Sequence, residues 1–260
     1  QIAEVYEARV VTYAHPEMPK PQITMMPEQV SERQPLVSPK QFTVTNDYVQ
    51  LEVQFPLKVI SSAVHNAGMG WYNNFLNRSI APSYNIEDVK EETVQFLVER
   101  DFSLTNTVVM LTAVEANLVA IRSFNHERFS ITVAVTAGVG NAVDVTRTYE
   151  RQEAAYIGTI NTWVIVNGKL SDEAFYQAMI TATEAKTKAL AEEEIRDVQT
   201  NTIATGTATD SLLIAATQHG EEMPYAGPIT DVGKLIGHGV FETTVEAIRK
   251  YKQSKNERNG

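Results

Sequence analysis

IGTINTWVIVNGKLSDEAFYQAMITATEAKTKALAEEE, residues 157–194, contains the change of period on which the fold turns. Ile157–Val166 is a β-branched, aromatic run and reads as a strand. Leu170-Ser171 then opens a helix: Ser171 is its N-cap, Leu170 can staple onto Phe175, and good helix formers continue to about Glu194. At 100° per residue, Phe175, Met179, Ala182, Lys186, Ala189 and Leu190 share one stripe, whereas Glu184 points to the other side near Lys188. Working outward, Thr107–Ala113, Asn117–Ser123 and Arg128–Ala137 are further short β-branched runs between turn-like residues. Alternation in Phe42–Phe55 around Asn46-Asp47 predicts a strand or hairpin, and another strand follows at Leu57–Val64. Asn85–Arg100, with Asn85 as N-cap, reads as a surface helix with an acidic, solvated face. Ser211–Ala216 is a short apolar strand, and Thr230 caps a last helix through about Tyr251, with Gly233 and Gly237 one turn apart. The expected fold is α+β or mixed α/β: a mainly antiparallel or mixed sheet flanked by helices, with a short N-terminal β appendage.

The appendage is 1–27, where Ala8–Ala14 and Gln22–Met26 are β-like runs around the turn segment His15–Pro21. Residues 28–40, polar with Pro35 and Pro39, read as a linker; the main domain is expected over 41–252, and 253–260 as a disordered tail. The 260 residues, 43% hydrophobic, are enough for a sizeable core. No run of about 18 apolar residues suits a bilayer, and the N-terminus lacks the basic-then-apolar order of a signal peptide. The absence of cysteine excludes disulfides, thiolate metal centres and a cysteine nucleophile, and is compatible with a reducing cytoplasm. A net charge of −10 without a dense basic stripe argues against nucleic acid as partner. Because the first residue is Gln1, the expectation is a piece of a longer protein.

Phosphate-loop, zinc-protease, nucleophile-elbow and dinucleotide signatures are all missing. Chemistry is sought instead in five stretches rich in small, hydroxyl and amide residues at predicted strand ends. They are Ser61-Ser62-Ala63 through Gly70, Thr136–Asn141, Gly158–Asn161, Thr183–Lys186 and Ala204–Asp210. Glycine lets backbone N–H groups approach a ligand, and Thr, Asn and Asp supply donors and acceptors on short stems. Each stretch alone is also ordinary turn chemistry. The five histidines, His15, His65, His126, His219 and His238, show no metal-ligand spacing.

In order, Ser-Ser-Ala with its Gly-rich continuation, Thr-Ala-Gly-Val-Gly-Asn, Gly-Thr-Ile-Asn, Thr-Ala-Thr-Glu-Ala-Lys and Thr-Gly-Thr-x-Thr-Asp-Ser resemble the adenosylcobinamide amidohydrolase family over about Lys58–Tyr251. The late blocks 181–186 and 204–211, followed by Tyr225-Ala226-Gly227 and the Gly-bearing last helix, are the most specific; His65-Asn66-Ala67 departs from the small residues expected there. Glu4-Val5-Tyr6 through His15-Pro16-Glu17 to Met26-Pro27 resembles the last strands of ATPases that energise cobalamin and siderophore importers. The resemblance implies cleavage of the amide joining the corrin ring to aminopropanol, giving adenosylcobyric acid. It also implies a fusion with an importer ATPase, a cytoplasmic site at the inner membrane face, and a cobalt-containing corrinoid as substrate rather than cofactor. A divalent metal and a homo-oligomer stay open.

Amide hydrolysis needs an activated nucleophile, a proton donor for the leaving amine, and dipoles on the oxyanion. Asp210 is the candidate base on a water, or else a cap of its own turn; Glu184 is a second carboxylate, or else a solvent-face partner of Lys188. Lys186, an ammonium within an apolar stripe, must find a carboxylate or shift its pKa, or else snorkel. Thr207 or Thr209 attacking directly, with Lys186 as base, is the alternative to activated water. Expected substrate contacts are Ser61, Ser62, Asn66, Asn77, Asn141, Thr159, Asn161 and Thr205, of which Asn141 and Asn161 would hold the oxyanion or ring amides or else satisfy loop backbone. His65 as a cobalt ligand is weighed against an ordinary hydrogen-bonded histidine. Two rival functions are a non-catalytic corrinoid sensor regulating the ATPase and a Thr-nucleophile hydrolase of another amide.

Overall fold

A computed structural model of the chain describes residues 36–81, 88–149 and 158–259. The appendage expected over 1–27, most of the linker and Asn85 lie outside the described residues.

Nine segments supply the sheet and the helix next to its first strands: β1 (Phe42–Val44), β2 (Tyr48–Ser61), β3 (Gly68–Ser79), α1 (Val89–Glu99), β4 (Thr107–Thr112), β5 (Ala120–Asn125), β6 (Ser130–Ala137), β8 (Ile160–Asn167) and β11 (Ser211–Ala216). The short strands β7 (Ala142–Val143), β9 (Lys169–Leu170), β10 (Gly206–Thr207) and β12 (Glu222–Met223) pair outside the main sheet, and α2 (Asp172–Glu192) and α3 (Asp231–Asn259) follow β9 and β12. The sheet is mixed and eight-stranded, in the order β4-β3-β2-β11-β8-β6-β5, with β1 added on β2. β11 is parallel to β8, Ser211 facing Asn161 through Ala216 facing Val166, and antiparallel to β2.

The sheet does not stay flat. The β2–β3 register shifts between Glu52 and Leu57, a stretch that contains Pro56, whose nitrogen has no hydrogen to give the ladder. Beyond this bend the β3–β4 half faces the β8–β11 half. Phe75 of β3 meets Trp163 of β8 edge-on at 6.3 Å between centroids, although two strands separate them in the sheet, and Trp163 Nε1 donates to Met110 Sδ of β4 at 3.2 Å. Trp163, Ile165, Leu213, Ala215 and Ala134 fill this inner layer with Leu51, Val53, Val59 and Phe75. The alternate residues Val164, Val166, Ile214, Ala216, Val133 and Val135 point the other way, onto α2 and α3. Strands buried on both faces read as unbroken apolar runs, which is why β8 and β11 are so plain in the sequence. On the far side Phe96 and Leu97 of α1 cover Leu76 and Val109. The order of layers is helix, sheet, sheet, helices.

α2 forms as its pattern requires: the Ser171 hydroxyl accepts the Ala174 N–H at 3.1 Å, and Ala174, Phe175, Ala178, Ala182, Ala189 and Leu190 are buried. Three expectations need correction. Among the described residues α1 is capped by Asp88, which accepts the N–H groups of Lys90 and Glu91 at 3.0 Å, and starts at Val89. α3 continues past Tyr251 to Asn259, so the expected tail 253–260 is helical through that residue. Lys252 Nζ reaches the Glu193 carbonyl at 2.8 Å and Arg258 pairs with Glu115, contacts to distant segments that hold the last turns. Val37, within the expected linker, is fully buried, its N–H and C=O both held by the Asn167 amide at 2.7 and 2.8 Å. Among the described residues no helix is long and apolar enough to cross a membrane.

Candidate active site

Parallel pairing puts the starts of β8 and β11 at one end of the sheet, and antiparallel pairing brings the ends of β6 and β2 to the same place. The late turns of α2 cover this end on the helix-facing side. Asp210 precedes β11 there and points to α2, where its Oδ2 pairs with Lys186 Nζ. Its Oδ1 accepts three donors: the N–H of Ile160 at 3.0 Å, the N–H of Thr207 at 3.1 Å, and the Thr207 hydroxyl. The side chains of Lys186 and Asp210 are 14% and 18% exposed, so the pair is sheltered yet reachable. The ammonium placed by periodicity inside an apolar stripe has thus found a carboxylate, as desolvation demands. Glycine at 206 is a steric requirement: a Cβ there would lie 2.4 Å from Asp210 Oδ2 and 2.8 Å from Lys186 Nζ.

The turn Thr207–Asp210 is fastened to the start of β8 at two further points. Thr159 Oγ1 donates to the Thr209 carbonyl at 2.7 Å, and Thr209 Oγ1 donates to the Gly158 carbonyl at 2.9 Å. Asn141 Nδ2 donates to the same Gly158 carbonyl at 2.8 Å, and a Cβ on Gly158 would fall 2.3 Å from Asn141 Oδ1. Thr205 Oγ1 accepts the Val145 N–H at 3.0 Å and donates to the Val143 carbonyl at 3.2 Å. The structure therefore gathers Lys186, Asp210, Thr207, Thr209, Thr159, Asn141 and Thr205.

Other expected residues stand apart. Glu184 is exposed on the opposite face of α2, and among the described residues its side chain makes neither the expected ion pair with Lys188 nor a hydrogen bond. Asn161 and Asn77 lie between the sheet layers, 1% and 4% exposed. Asn161 Nδ2 donates to Asn77 Oδ1 at 2.7 Å and to the Leu111 carbonyl at 2.8 Å, while Asn77 Nδ2 donates to Thr136 Oγ1 at 2.8 Å. Ser61 Oγ accepts the Ala63 N–H at 3.0 Å, and Ser62 and Ser211 share a hydroxyl contact of 3.1 Å at the strand ends. Asn66, at a positive φ of 56°, donates to the Leu104 and Thr107 carbonyls at 2.9 and 2.7 Å, and His65 Nε2 lies 2.9 Å from the Leu104 carbonyl. These amides fasten the β2–β3 connection.

Sequence reasoning missed the support of the turn. Thr187 Oγ1 holds the Thr205 carbonyl at 3.1 Å. Asp197, 2% exposed, accepts the Asp144 N–H at 2.8 Å and the Gln199 and Thr200 N–H groups at 2.8 and 3.1 Å. Asp144 is held below the usual carboxylate range by hydrogen bonds from Thr202 and Thr146 that outweigh its burial. The spacings Asp144-x-Thr146 and Asp197-x-x-Thr200 are the available signal, since short side chains of this kind bond their own turns. Among the described residues no three His, Asp or Glu side chains converge as a metal site.

Comparison with known proteins adds four findings. The family described as adenosylcobinamide amidohydrolase matches residues 34–256. The adenosylcobinamide amidohydrolase of Methanosarcina mazei is 30% identical over 181 residues, 68% of this chain and 83% of that protein. The ABC transporter ATP-binding protein YvrA of Bacillus subtilis is 24% identical over 218 residues, 84% of this chain, and the chain spans 41% of that relative's length. Among solved structures, a Burkholderia sp. beta-aminopeptidase aligns over 80% of this chain and 79% of its own with a TM-score of 0.41 and 12% identity.

Proposed function

Because the chain belongs to the adenosylcobinamide amidohydrolase family, we propose that it hydrolyses the amide between the corrin ring's propionyl arm and aminopropanol in adenosylcobinamide. The products are adenosylcobyric acid and 1-aminopropan-2-ol. The observation that carries this reading is the sheltered Lys186–Asp210 pair with the Thr207 hydroxyl on the same carboxylate. A carboxylate oriented by an ammonium accepts the proton of an attacking group, and the ammonium supplies a proton to the departing amine. Thr209 is exposed and Thr205 half-exposed beside the pair, where they can meet the amides of a corrinoid, while the buried Asn141 and Thr159 hold the Gly158 and Thr209 carbonyls behind them. Ser61, Ser62, Asn66, Asn77 and Asn161 have their polar atoms committed within the protein and are assigned to holding the walls of the site. The Bacillus subtilis relative is named as an ABC transporter ATP-binding protein, which supports the further reading that the domain is joined to a transporter ATPase; on the family resemblance we place it in the cytoplasm beside an importer.

The test is incubation of the purified chain with adenosylcobinamide, with chromatographic and mass detection of both products. Lys186→Ala and Asp210→Asn are run alongside. Many turnovers by the parent and a loss of about 10²-fold or more in each variant support the reading. Stoichiometric binding without product, with or without divalent metals, replaces it with a corrinoid-binding sensor.

A further inference from the structure

We propose that Thr207 is the nucleophile, so that cleavage passes through an ester between the Thr207 oxygen and the substrate's acyl group. This rests on the amidohydrolase reading and decides what that reading leaves open. The hydroxyl protons near the site go to two kinds of acceptor, backbone carbonyls and a carboxylate. Thr159 donates to the Thr209 carbonyl, Thr209 to Gly158, Thr205 to Val143, Thr187 to Thr205 and Ser211 to Ser62. A backbone carbonyl is too weak a base to take a proton from an alcohol. Thr207 alone in this group aims its hydroxyl at a carboxylate, Asp210 Oδ1, and that carboxylate is oriented through its other oxygen by Lys186. Nucleophile, base and orienter in one hydrogen-bonded line is the arrangement that activates a weak hydroxyl nucleophile.

Two comparisons sharpen the assignment. Asp144 also receives two threonine hydroxyls, from Thr146 and Thr202, but it is buried at 7% exposure and the structure gives it no ion pair among the described residues. On Asp210 Oδ1, which already accepts three donors, a water would have to displace Thr207, whereas Oδ2 is held by the ammonium. The Thr207–Asp210 turn also carries oxyanion donors of its own. Among the described residues the N–H groups of Ala208 and Thr209 donate to no acceptor, and both residues are exposed.

Thr207 Oγ bonds to the amide carbon while its proton passes to Asp210. The carbon–nitrogen bond then breaks as the Lys186–Asp210 pair delivers that proton to the nitrogen, releasing aminopropanol. Water next attacks the ester carbon and gives a proton to Asp210; the carbon–Oγ bond breaks, and the proton returns to Thr207. The sum is one amide and one water to one acid and one amine.

The test compares the parent chain, Thr207→Ala and Thr207→Ser with adenosylcobinamide, in the presence and absence of hydroxylamine, together with acid-quenched peptide mass mapping during turnover. The expected result has three parts: Thr207→Ala, still folded by its melting curve, loses about 10³-fold or more of turnover; Thr207→Ser stays within about tenfold of the parent; and hydroxylamine diverts product to the corrinoid hydroxamate, with the adduct on the peptide that contains residue 207. If the parent turns over and Thr207→Ala keeps more than about a tenth of that rate, or hydroxamate and adduct never form, the nucleophile is water and the proposal is overturned while the amidohydrolase stands. If the parent does not turn over, the amidohydrolase reading falls and the proposal with it.

Discussion

Replacing Gly206 with alanine tests the geometry of the site through a single methyl group. The added Cβ would lie 2.4 Å from Asp210 Oδ2 and 2.8 Å from Lys186 Nζ, against an ordinary contact of 3.4 Å or more. Lysine has a long stem and can withdraw. Asp210 cannot do so cheaply, because three donors hold its other oxygen. The backbone cannot retreat either: Gly206 pairs with Val143, the Thr205 N–H donates to Val143 at 2.9 Å, and the Thr205 carbonyl is held by Thr187. Overpacking of this kind costs about 1–3 kcal/mol. Taking about 2 kcal/mol, a domain of this size should melt about 4–8 °C lower. A displacement of about 1 Å in the reacting groups should cost turnover about 10²-fold. Gly227→Ala is the matched control: a Cβ there meets nothing within 4 Å, so it should melt within about 0.5 kcal/mol of the parent. Differential scanning calorimetry and the product assay read both variants. A Gly206→Ala protein that melts with the parent and turns over normally would show that the ion pair is not where it has been described, or does not matter.

Other outcomes follow from the same contacts. Asn161→Ala strips partners from Asn77 Oδ1, the Leu111 carbonyl and Thr159 and should destabilise by about 3 kcal/mol at an unchanged denaturant slope; a loss under about 1 kcal/mol refutes the buried network. Glu193 is pushed up by burial, but bonds from Lys252 and Arg249 outweigh this and hold it below the usual carboxylate range. A carboxylate with a depressed folded pKa stabilises above its unfolded pKa and loses that contribution as pH falls through the folded value. The melting temperature of the parent should therefore fall more steeply than that of Glu193→Gln below about pH 4.5, and parallel curves would contradict the pairing. Glu184→Gln, on the exposed face of α2, should keep turnover within about twofold; a loss of about 10²-fold would return Glu184 to the chemistry.

What the sequence reveals about this fold depends on whether a residue's partner is near in the chain. α2 is legible because cap, staple and stripe all lie within its own turns, and Lys186 stood out because an ammonium breaks an apolar stripe. β6, β8 and β11 are legible as apolar runs because both their faces are buried. β3 was not read as a strand: Asn73, Asn74, Asn77 and Arg78 show no apolar alternation, and the strand exists through its pairing with β2 and β4. The last turns of α3 were read as a tail because the groups that hold them, Glu193 and Glu115, are far away in sequence. In the site, the hydroxyl and amide stretches were visible as composition, but which of them share a sheet face was not. Asn161 and Asp210 sit at the starts of neighbouring strands and point to opposite sides, a difference of one residue in register.

The central place of β11 has a consequence for how the protein is made. It is the last strand to enter the main sheet, yet it lies between β2 and β8, to which it joins residues about 150 and 50 positions earlier. A nascent chain that has not yet delivered Ser211 holds two apolar strand edges apart with nothing between them, a state open to mispairing. Asp210 arrives on the same strand, immediately before its first residue. The charge that neutralises Lys186 is thus supplied by the step that closes the sheet, and a chain truncated ahead of it lacks the carboxylate with which Lys186 pairs.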